Sequence, residues 1–200
     1  MDILKRILDI LASGIALVVL LPIFAIIGIF IKLDSKGPVF FIQKRAGKDG
    51  KIFRAYKLRT MMDNAVAIGG KKISQDDSRI TRVGKHLRWG IDELPQLINV
   101  FKGDMSLVGP RPTLLEQVAK YSEEHKRRLE MKPGLTGWAL VNGRNALSWP
   151  EKIKLDIWYI DHWSFWLDLK ILLRTIWVVI FTREGLYGKD GVNTGYPEDK

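Results

Sequence analysis

The feature that most constrains this chain is an uncharged, largely apolar segment of 22 residues near its N-terminus, at positions 10–31. As an α-helix, a segment of this length reaches across the roughly 30 Å of hydrocarbon in a bilayer. Lys5 and Arg6 precede it, and Lys32 follows it. The apolar run exceeds the hydrophobic region of a signal peptide, and no small-residue cleavage pattern closes it. The sequence therefore predicts a retained membrane anchor over residues 1–36.

Pro22 leaves the path of this anchor open. A proline inside a helix removes one hydrogen bond and clashes with the preceding turn, so a kink is expected there. Basic residues at both ends of the apolar run give little inside–outside bias. From these observations alone, a helix that crosses the bilayer and a helix that re-enters the same leaflet are both compatible with the sequence.

Two adjacent carboxylates, Asp92 and Glu93, are the first candidate for chemistry. Asp92 suits the N-cap of a helix that tolerates Pro95 in its first turn and ends at Gly103. The positive end of the helix dipole lowers the cost of negative charge, so we expect Asp92 to be ionised at neutral pH. Such a carboxylate can attack a phosphoryl group or hold a magnesium ion that bridges phosphate oxygens.

An arginine between two prolines is the second candidate. Pro110 and Pro112 restrict the backbone around Arg111, and a guanidinium held in this way suits bidentate binding of phosphate or carboxylate. Arg111 and the acidic pair lie together within residues 91–112. This combination predicts a site that handles phosphate. The alternative is an ordinary acidic helix start followed by a proline-rich turn.

Short motifs in a fixed order carry a resemblance to a known family over nearly the whole chain. The chain resembles the bacterial sugar transferases, the monotopic phosphoglycosyl transferases, in their minimal catalytic form. Besides residues 91–112, the matching motifs are YKLRTM at 56–61, DSRITRVG at 77–84, PGLTGW at 133–138, VNGRN at 141–145 and DLK at 168–170.

This resemblance implies a reaction, a cofactor and a location. The family moves a sugar-1-phosphate from a UDP-sugar to a polyprenol (undecaprenyl) phosphate and releases UMP. By resemblance, Asp92 would be the nucleophile that takes the phosphosugar covalently, Glu93 would help hold the required Mg²⁺, and Arg111 would bind phosphate. The family also implies a re-entrant anchor, with the chemistry at the cytoplasmic face of the bacterial inner membrane.

Further candidate ligand residues lie in these motifs or beside them. Basic residues at three-residue intervals predict a cationic stripe on a helix over residues 77–88, with a solvated face as the alternative. Asparagine amides and an arginine in a glycine-containing loop suit uracil, ribose or sugar hydroxyls. By resemblance, an aspartate in the last motif could support the metal or the nucleotide. These candidates are Lys57, Arg59, Arg79, Arg82, Arg88, Asn142, Arg144 and Asp168.

Composition limits the partners. A formal net charge of +10 favours anionic partners, namely nucleic acid, acidic lipid or phosphorylated substrates. The absence of cysteine excludes disulfides and thiolate metal sites, and the three histidines are isolated. With the resemblance, we expect UDP-sugar, polyprenol phosphate and membrane phospholipids as partners, no nucleic acid, and a homodimer as an open question. The alternatives are a membrane-attached basic adaptor without chemistry and a phosphohydrolase that transfers to water.

The expected fold class is α+β and mostly helical, with a re-entrant membrane helix, a small β-hairpin and interfacial amphipathic helices. The hairpin is predicted within residues 38–61, and a capping-box spacing predicts a helix over 113–131. The tryptophan-rich segment 163–181 suits a helix at the lipid boundary, or a buried core helix as the alternative. The expected division is an anchor over 1–36, a cytosolic-face catalytic domain over 37–183 and a polar mobile tail over 184–200.

Overall fold

The computed structural model describes residues 3–63 and 77–182, together with the backbone of two short strands at 72–73 and 192–193. Apart from these strands, residues 64–76 and the polar tail expected at 184–200 lie outside the described residues.

The architecture is mostly helical with small sheets, which confirms the predicted α+β class. The strands are β1 (Phe40–Ala46), β2 (Ile52–Leu58), β3 (Lys72–Ile73), β4 (Ser106–Val108), β5 (Gly134–Thr136) and β6 (Val192–Asn193). They pair as β1–β2 and β3–β6, both antiparallel, and as β4–β5, which is parallel. The helices are α1 (Ile3–Asp34), α2 (Arg82–Leu87), α3 (Leu97–Lys102), α4 (Leu115–Val118), α5 (Glu123–Lys126), α6 (Trp138–Val141), α7 (Trp149–Asp161) and α8 (Phe165–Trp177). Short 3₁₀ segments lie at Lys48–Gly50, Ile91–Gln96, Arg127–Leu129 and Arg144–Ala146, and a π-helical turn at Val178–Thr182 follows α8.

Helix α1 is continuous over 32 residues with Pro22 inside it, and it is long and apolar enough to cross a membrane. Its middle exposes apolar side chains, whereas both of its ends pack on the same folded domain. The N-terminal half contacts α3 and β4, and the C-terminal end packs through Ile31 on Leu58 and Leu87. A crossing helix would place these two ends on opposite sides of a bilayer. One domain that contacts both ends favours the re-entrant path.

Buried polar contacts hold the N-terminal end of α1. The Lys5 ammonium donates to the Val108 carbonyl at 2.9 Å and to the Asp168 carboxylate, which also accepts from the Tyr159 hydroxyl at 2.6 Å. Asp9 accepts from the Leu107 backbone N–H at 2.9 Å. Because buried charges are costly unless they are paired, these partners make the first turns of α1 part of the domain interior.

Arg59 holds the other end of α1. Its buried guanidinium donates to the carbonyls of Ser35, at 2.8 Å, and of Lys36. These bonds hold the two residues that follow the last residue of α1, Asp34. Asp34 accepts from the Val83 backbone N–H at 2.8 Å, which joins the same end to α2.

The hairpin of β1 and β2 confirms the predicted one and forms the platform of the site. Phe53 and Ala55 of β2 are buried against Val100 and Met105. The buried Asn99 side chain ties β2 to α3, because it accepts from the Tyr56 N–H at 3.2 Å and donates to the Arg54 carbonyl at 2.8 Å. Strand β2 therefore lies firmly against the segment that carries the acidic pair.

Two predicted helices differ from the helices in the structure. The helix over 77–88 begins only at Arg82, because the Thr81 side chain caps it and Asp77 binds Arg79 in a preceding turn. The prediction of a single helix over 113–131 is wrong. In its place stand α4, α5 and a 3₁₀ turn, and Thr113 bridges to Ala46 of β1 instead of capping a helix.

Helix α8 presents an apolar surface to the outside, so the alternative of a buried core helix is wrong. Asp168 and Ile171 are buried and face the protein. An outward surface of this composition fits the predicted position at a lipid boundary. Its exposed apolar side chains are Trp166, Leu169, Leu173, Ile176 and Trp177.

Candidate active site

The acidic pair lies in the 3₁₀ segment Ile91–Gln96, not in the first turn of an α-helix. Gly90 occupies the cap position with φ of +119°, a conformation that glycine adopts at no steric cost. The prediction of Asp92 as the N-cap is therefore wrong, and its carboxylate does not serve that purpose. Helix α3 follows and ends at Gly103 in the left-handed region, as the sequence predicts.

Glu93 is the meeting point of two cations. Its Oε1 accepts from the Lys57 Nζ and from the Arg111 Nη2, both at 2.6 Å, and its Oε2 accepts from the Arg111 Nη1 at 3.2 Å. Burial alone would raise the pKa of Glu93, but the charges and hydrogen bonds of Arg111 and Lys57 outweigh burial and hold this pKa well below its usual range. Glu93 is thus a permanent anion that orients both cations.

The pKa of Asp92 is shifted in the opposite direction. Burial and the neighbouring charge of Glu93 raise the pKa of Asp92 to about 6, against the opposing charges of Lys57, Arg88 and Arg111. At pH 7 about nine tenths of such a group is ionised. The expectation of a carboxylate at neutral pH therefore stands. Burial and Glu93 make Asp92 more basic than an ordinary aspartate, whereas a helix N-terminus would have made it less basic.

Arg45 is a further cation at the site, which the sequence analysis does not single out. Its Nη1 donates to the Pro112 carbonyl at 3.1 Å and its Nη2 to the Gln43 side chain at 2.6 Å. Burial and the charge of Arg111 lower the pKa of Arg45 to about 10, against the opposing charge of Glu93. Strand alternation places Arg45 on the same face of the hairpin as Lys57. The sequence predicts this only when the pairing register of the two strands is known.

A buried ion pair supports the Arg111 loop from behind. The Arg128 guanidinium donates to the Asp156 carboxylate at 2.9 and 2.5 Å, and both side chains are nearly inaccessible. Arg128 also donates to the Tyr121 hydroxyl and, at 3.3 Å, to the Thr113 hydroxyl. The pair therefore lies beneath the loop that presents Arg111, and the sequence analysis missed it.

The glycines of the PGLTGW motif also serve this loop. A Cβ on Gly134 would lie 2.1 Å from the Gly109 nitrogen, and one on Gly137 would lie 2.2 Å from the Gly109 oxygen. Only glycine permits so close an approach of two backbones. The motif thus fixes the backbone immediately before Pro110 and Arg111.

Arg144 lies near the start of the 3₁₀ segment that carries the acidic pair. A Cβ on Gly90 would lie 3.7 Å from the Arg144 Nη2, so this guanidinium lies close to the residue that precedes Ile91 and Asp92. Arg144 itself has φ of +52° in a tight turn after Gly143. The structure therefore brings Lys57 and Arg111 to Glu93, Arg88 within electrostatic range of Asp92, and Arg144 close to Gly90.

Five predicted ligand residues have other surroundings. Asp168 and Arg59 hold the two ends of α1. The Arg79 guanidinium binds Asp77 at 2.6 Å, and the Asn142 amide donates to the carbonyl of Trp138 at 2.8 Å. The remaining residue is Arg82, which is exposed on α2.

The donor set suits a magnesium ion that arrives with its substrate. In the described part of the chain, no group of three or more His, Asp or Glu side chains is placed to hold a metal. Mg²⁺ often takes only one or two carboxylates, together with waters and substrate phosphates. Glu93 provides such a carboxylate, but its oxygens are engaged by Lys57 and Arg111. A diphosphate that attracts these cations would release Glu93 for the ion.

Comparisons with known proteins identify the family of this chain. The profile of the bacterial sugar transferase family matches residues 1–182. The uncharacterized sugar transferase EpsL of Bacillus subtilis is 48% identical over 189 residues, which cover 92% of this chain and 90% of that protein.

Two relatives are named for their substrates. The UDP-glucose:undecaprenyl-phosphate glucose-1-phosphate transferase of Caulobacter vibrioides is 44% identical over 88% of this chain and 69% of its own length. The UDP-N-acetylgalactosamine-undecaprenyl-phosphate N-acetylgalactosaminephosphotransferase of Aeromonas hydrophila is 42% identical, again over 88% of this chain. The match spans 44% of that last protein, so the chain corresponds to less than half of some relatives.

Proposed function

This chain belongs to the bacterial sugar transferase family, and on that premise we propose that it is a membrane-bound phosphoglycosyl transferase. It transfers a sugar-1-phosphate from a UDP-sugar to undecaprenyl phosphate. The relatives named for these two substrates support the reaction. The observation that carries the proposal is the basic carboxylate of Asp92 beside a Glu93 that holds Lys57 and Arg111.

In the first step, an Asp92 carboxylate oxygen attacks the β-phosphorus of the UDP-sugar. The bond between this phosphorus and the bridging oxygen breaks, and UMP leaves with that oxygen and its electron pair. The product on the protein is an aspartyl phosphosugar. A raised pKa makes Asp92 a better nucleophile than an ordinary aspartate, and the site still keeps it ionised at pH 7.

Lys57 and Arg111 bind the donor and stabilise its charge. Both cations contact Glu93 before the donor binds, and both can turn to its phosphate oxygens without a large movement of the backbone. Placed before the reaction, they offset charge as it shifts around phosphorus. Mg²⁺, when bound through Glu93, would supply further positive charge to the same phosphate oxygens.

In the second step, a phosphate oxygen of the lipid acceptor attacks the phosphorus of the adduct. The bond to the Asp92 oxygen breaks, the carboxylate is restored, and the product is an undecaprenyl diphosphate sugar. One substrate is soluble in water and the other in lipid, so the site must lie at the boundary between them. The apolar middle of α1 and the outward surface of α8 support a location at a membrane boundary. We propose that this boundary is the cytoplasmic face of the inner membrane.

Mass spectrometry and UMP release test this mechanism. We would incubate the detergent-purified protein with a panel of UDP-sugars, with and without undecaprenyl phosphate, and quench it. Without acceptor, we expect at most one UMP per protein and a phosphosugar adduct on Asp92. Asp92→Asn should abolish both, and Asp161→Asn, an exposed surface change, should keep both.

Other outcomes would favour the alternatives. Repeated turnover without acceptor would indicate transfer to water, and hence a phosphohydrolase. A wild-type protein that releases no UMP from any UDP-sugar would favour a basic adaptor. Full UMP release by Asp92→Asn would exclude the covalent mechanism.

A further inference from the structure

Strand β1 begins with three consecutive apolar side chains that the reaction described above does not use. Phe40 is 41% exposed, Phe41 43% and Ile42 51%. Successive side chains of a strand point to opposite faces of the sheet. In the hairpin register Phe41 lies opposite Lys57, whereas Phe40 lies opposite Leu58. Phe41 therefore shares its face with Lys57, and Phe40 belongs to the other face.

The face that carries Phe41 is the face of the active site. Cross-strand partners have their Cβ atoms about 5 Å apart, so Phe41 stands next to Lys57, whose ammonium binds Glu93. Gln43 and Arg45 follow on the same face, and Arg45 donates to the Pro112 carbonyl. This face thus begins with an exposed aromatic ring and continues into a cationic region.

The apolar end of this face leads to the membrane helix. Val39, two residues before Phe41, packs in the cluster that contains Ile31 of α1. A Cβ on Gly28 would meet the Val39 side chain at 3.4 Å, so strand and helix touch there. The same part of α1 exposes Ile26 and Ile29. The apolar end of this face therefore adjoins α1 at Val39, next to the cross-strand pair of Phe41 and Lys57.

We propose that Phe41 receives the first isoprene units of the lipid acceptor while the acceptor phosphate binds at Lys57. This assignment rests on the proposed function and names the acceptor subsite of the same site. An amphiphile with a phosphate at one end and a prenyl chain at the other matches a surface that is cationic at Lys57 and apolar from Phe41 to α1. A nucleobase could also stack on an exposed ring, but Phe41 lies at the end of the hairpin that contacts the membrane helix.

The chain offers a closely matched control in Phe40. Phe40→Ala and Phe41→Ala remove the same side chain from adjacent residues of nearly equal exposure on opposite faces. Two reactions are measured separately: single-turnover UMP release without acceptor, and transfer to undecaprenyl phosphate. We expect Phe41→Ala to raise the KM for undecaprenyl phosphate about tenfold, with UMP release at the wild-type level. Phe40→Ala should change neither quantity, and Phe41→Leu should restore part of the affinity.

A second measurement does not require turnover. A prenyl phosphate that carries a benzophenone near its phosphate should cross-link to the β1 segment of the wild-type protein in detergent. Undecaprenyl phosphate should compete with this probe. Unfolding temperatures of the three variants, compared with that of the wild type, establish that each is folded.

The two measurements separate failure of this inference from failure of the proposed function. Loss of UMP release in Phe41→Ala would indicate a nucleotide contact and overturn the lipid assignment. Equal effects of Phe40→Ala and Phe41→Ala, or no cross-link at β1, would overturn it as well. A wild-type protein that cross-links at β1 but releases no UMP would keep the lipid site and reject the proposed reaction.

Discussion

Asp92 and Glu93 are adjacent in the chain, yet their surroundings divide their roles. Both Lys57 and Arg111 bind Glu93, so its pKa falls well below the usual range. Burial and the charge of Glu93 raise the pKa of Asp92 to about 6. Opposed shifts in neighbouring titratable groups are typical of sites where one group reacts and the other positions charge.

Arg111→Lys tests whether the fork geometry of the guanidinium matters. The lysine keeps the charge but loses the two parallel hydrogen bonds that Arg111 makes to Glu93, and that it can make to phosphate. We expect kcat/KM for the UDP-sugar to fall about tenfold or more in steady-state UMP assays. Arg127→Lys, at an exposed pair, is the control and should retain activity. An unchanged kcat/KM in Arg111→Lys would argue against bidentate phosphate binding.

The neighbours Arg127 and Arg128 provide a matched test of burial. Arg128 pairs with Asp156 in the interior, whereas Arg127 pairs with Asp161 at the surface. Removing one partner of a buried pair costs about 3–5 kcal/mol, because the other charge remains without compensation. Asp156→Ala should therefore lower the unfolding temperature by at least about 6 °C.

The control for this prediction is Asp161→Ala, which should leave the unfolding temperature nearly unchanged because solvent screens the exposed pair. A double change, Arg128→Met with Asp156→Leu, should recover much of the stability lost in Asp156→Ala. Equal losses in Asp156→Ala and Asp161→Ala, measured by thermal unfolding in detergent, would contradict this account.

At the scale of elements, strands β4 and β5 decide where Arg111 stands. Their glycines allow the backbone of residues 134–137 to pass directly against Gly109. Pro110 and Arg111 follow immediately, so the position of Arg111 depends on a contact that tolerates no side chain.

Gly137→Ala tests this dependence. The new methyl group would lie 2.2 Å from the Gly109 oxygen, so the strands must separate and the Arg111 loop must move. We expect UMP release to fall at least about tenfold, since a displacement of about 1 Å at a reacting centre can cost more than that. Gly50→Ala is the control: it strains a hairpin turn at φ of +73° but meets no atom within 4 Å. Wild-type UMP release in Gly137→Ala would contradict the dependence.

At the scale of the molecule, the two ends of α1 close on one domain. Lys5 is bound to Asp168 at one end, and Arg59 binds the carbonyls of Ser35 and Lys36 at the other. The apolar middle remains outside, where Val18 is 75% exposed and Leu21 68%. A helix held in this way can dip into one leaflet and return while the catalytic domain stays in water.

Cysteine labelling tests this topology without background, because the chain has no cysteine. Ile3→Cys and Lys36→Cys place thiols at the two ends of α1, where both residues are exposed. We expect a membrane-impermeant maleimide to label both in inverted inner-membrane vesicles and neither in spheroplasts. Val19→Cys, in the exposed apolar middle, should resist labelling from both sides. Labelling of the two ends from opposite sides would show a crossing helix.

Local sequence patterns predicted part of this structure. The hairpin follows from strand propensities around a glycine-containing turn, and α3 ends at Gly103 as predicted, because turns and helix ends depend on nearby residues. The predicted helix over 113–131 failed because Thr113 is engaged by Ala46, far away in the chain. A capping-box spacing cannot reveal such a competing partner.

By itself, the sequence determined the apolar anchor, the hairpin, the acidic pair with Arg111, and the family. These features rest on contiguous residues, whose chemistry is the same wherever the chain folds. Only the tertiary structure decided that Arg45 joins the site, that Arg128 pairs with Asp156 28 positions away, and that Asp168 pairs with Lys5 163 positions away. The physical reason is that a charge is paired by whichever opposite charge the fold buries beside it, and separation along the chain does not specify that neighbour.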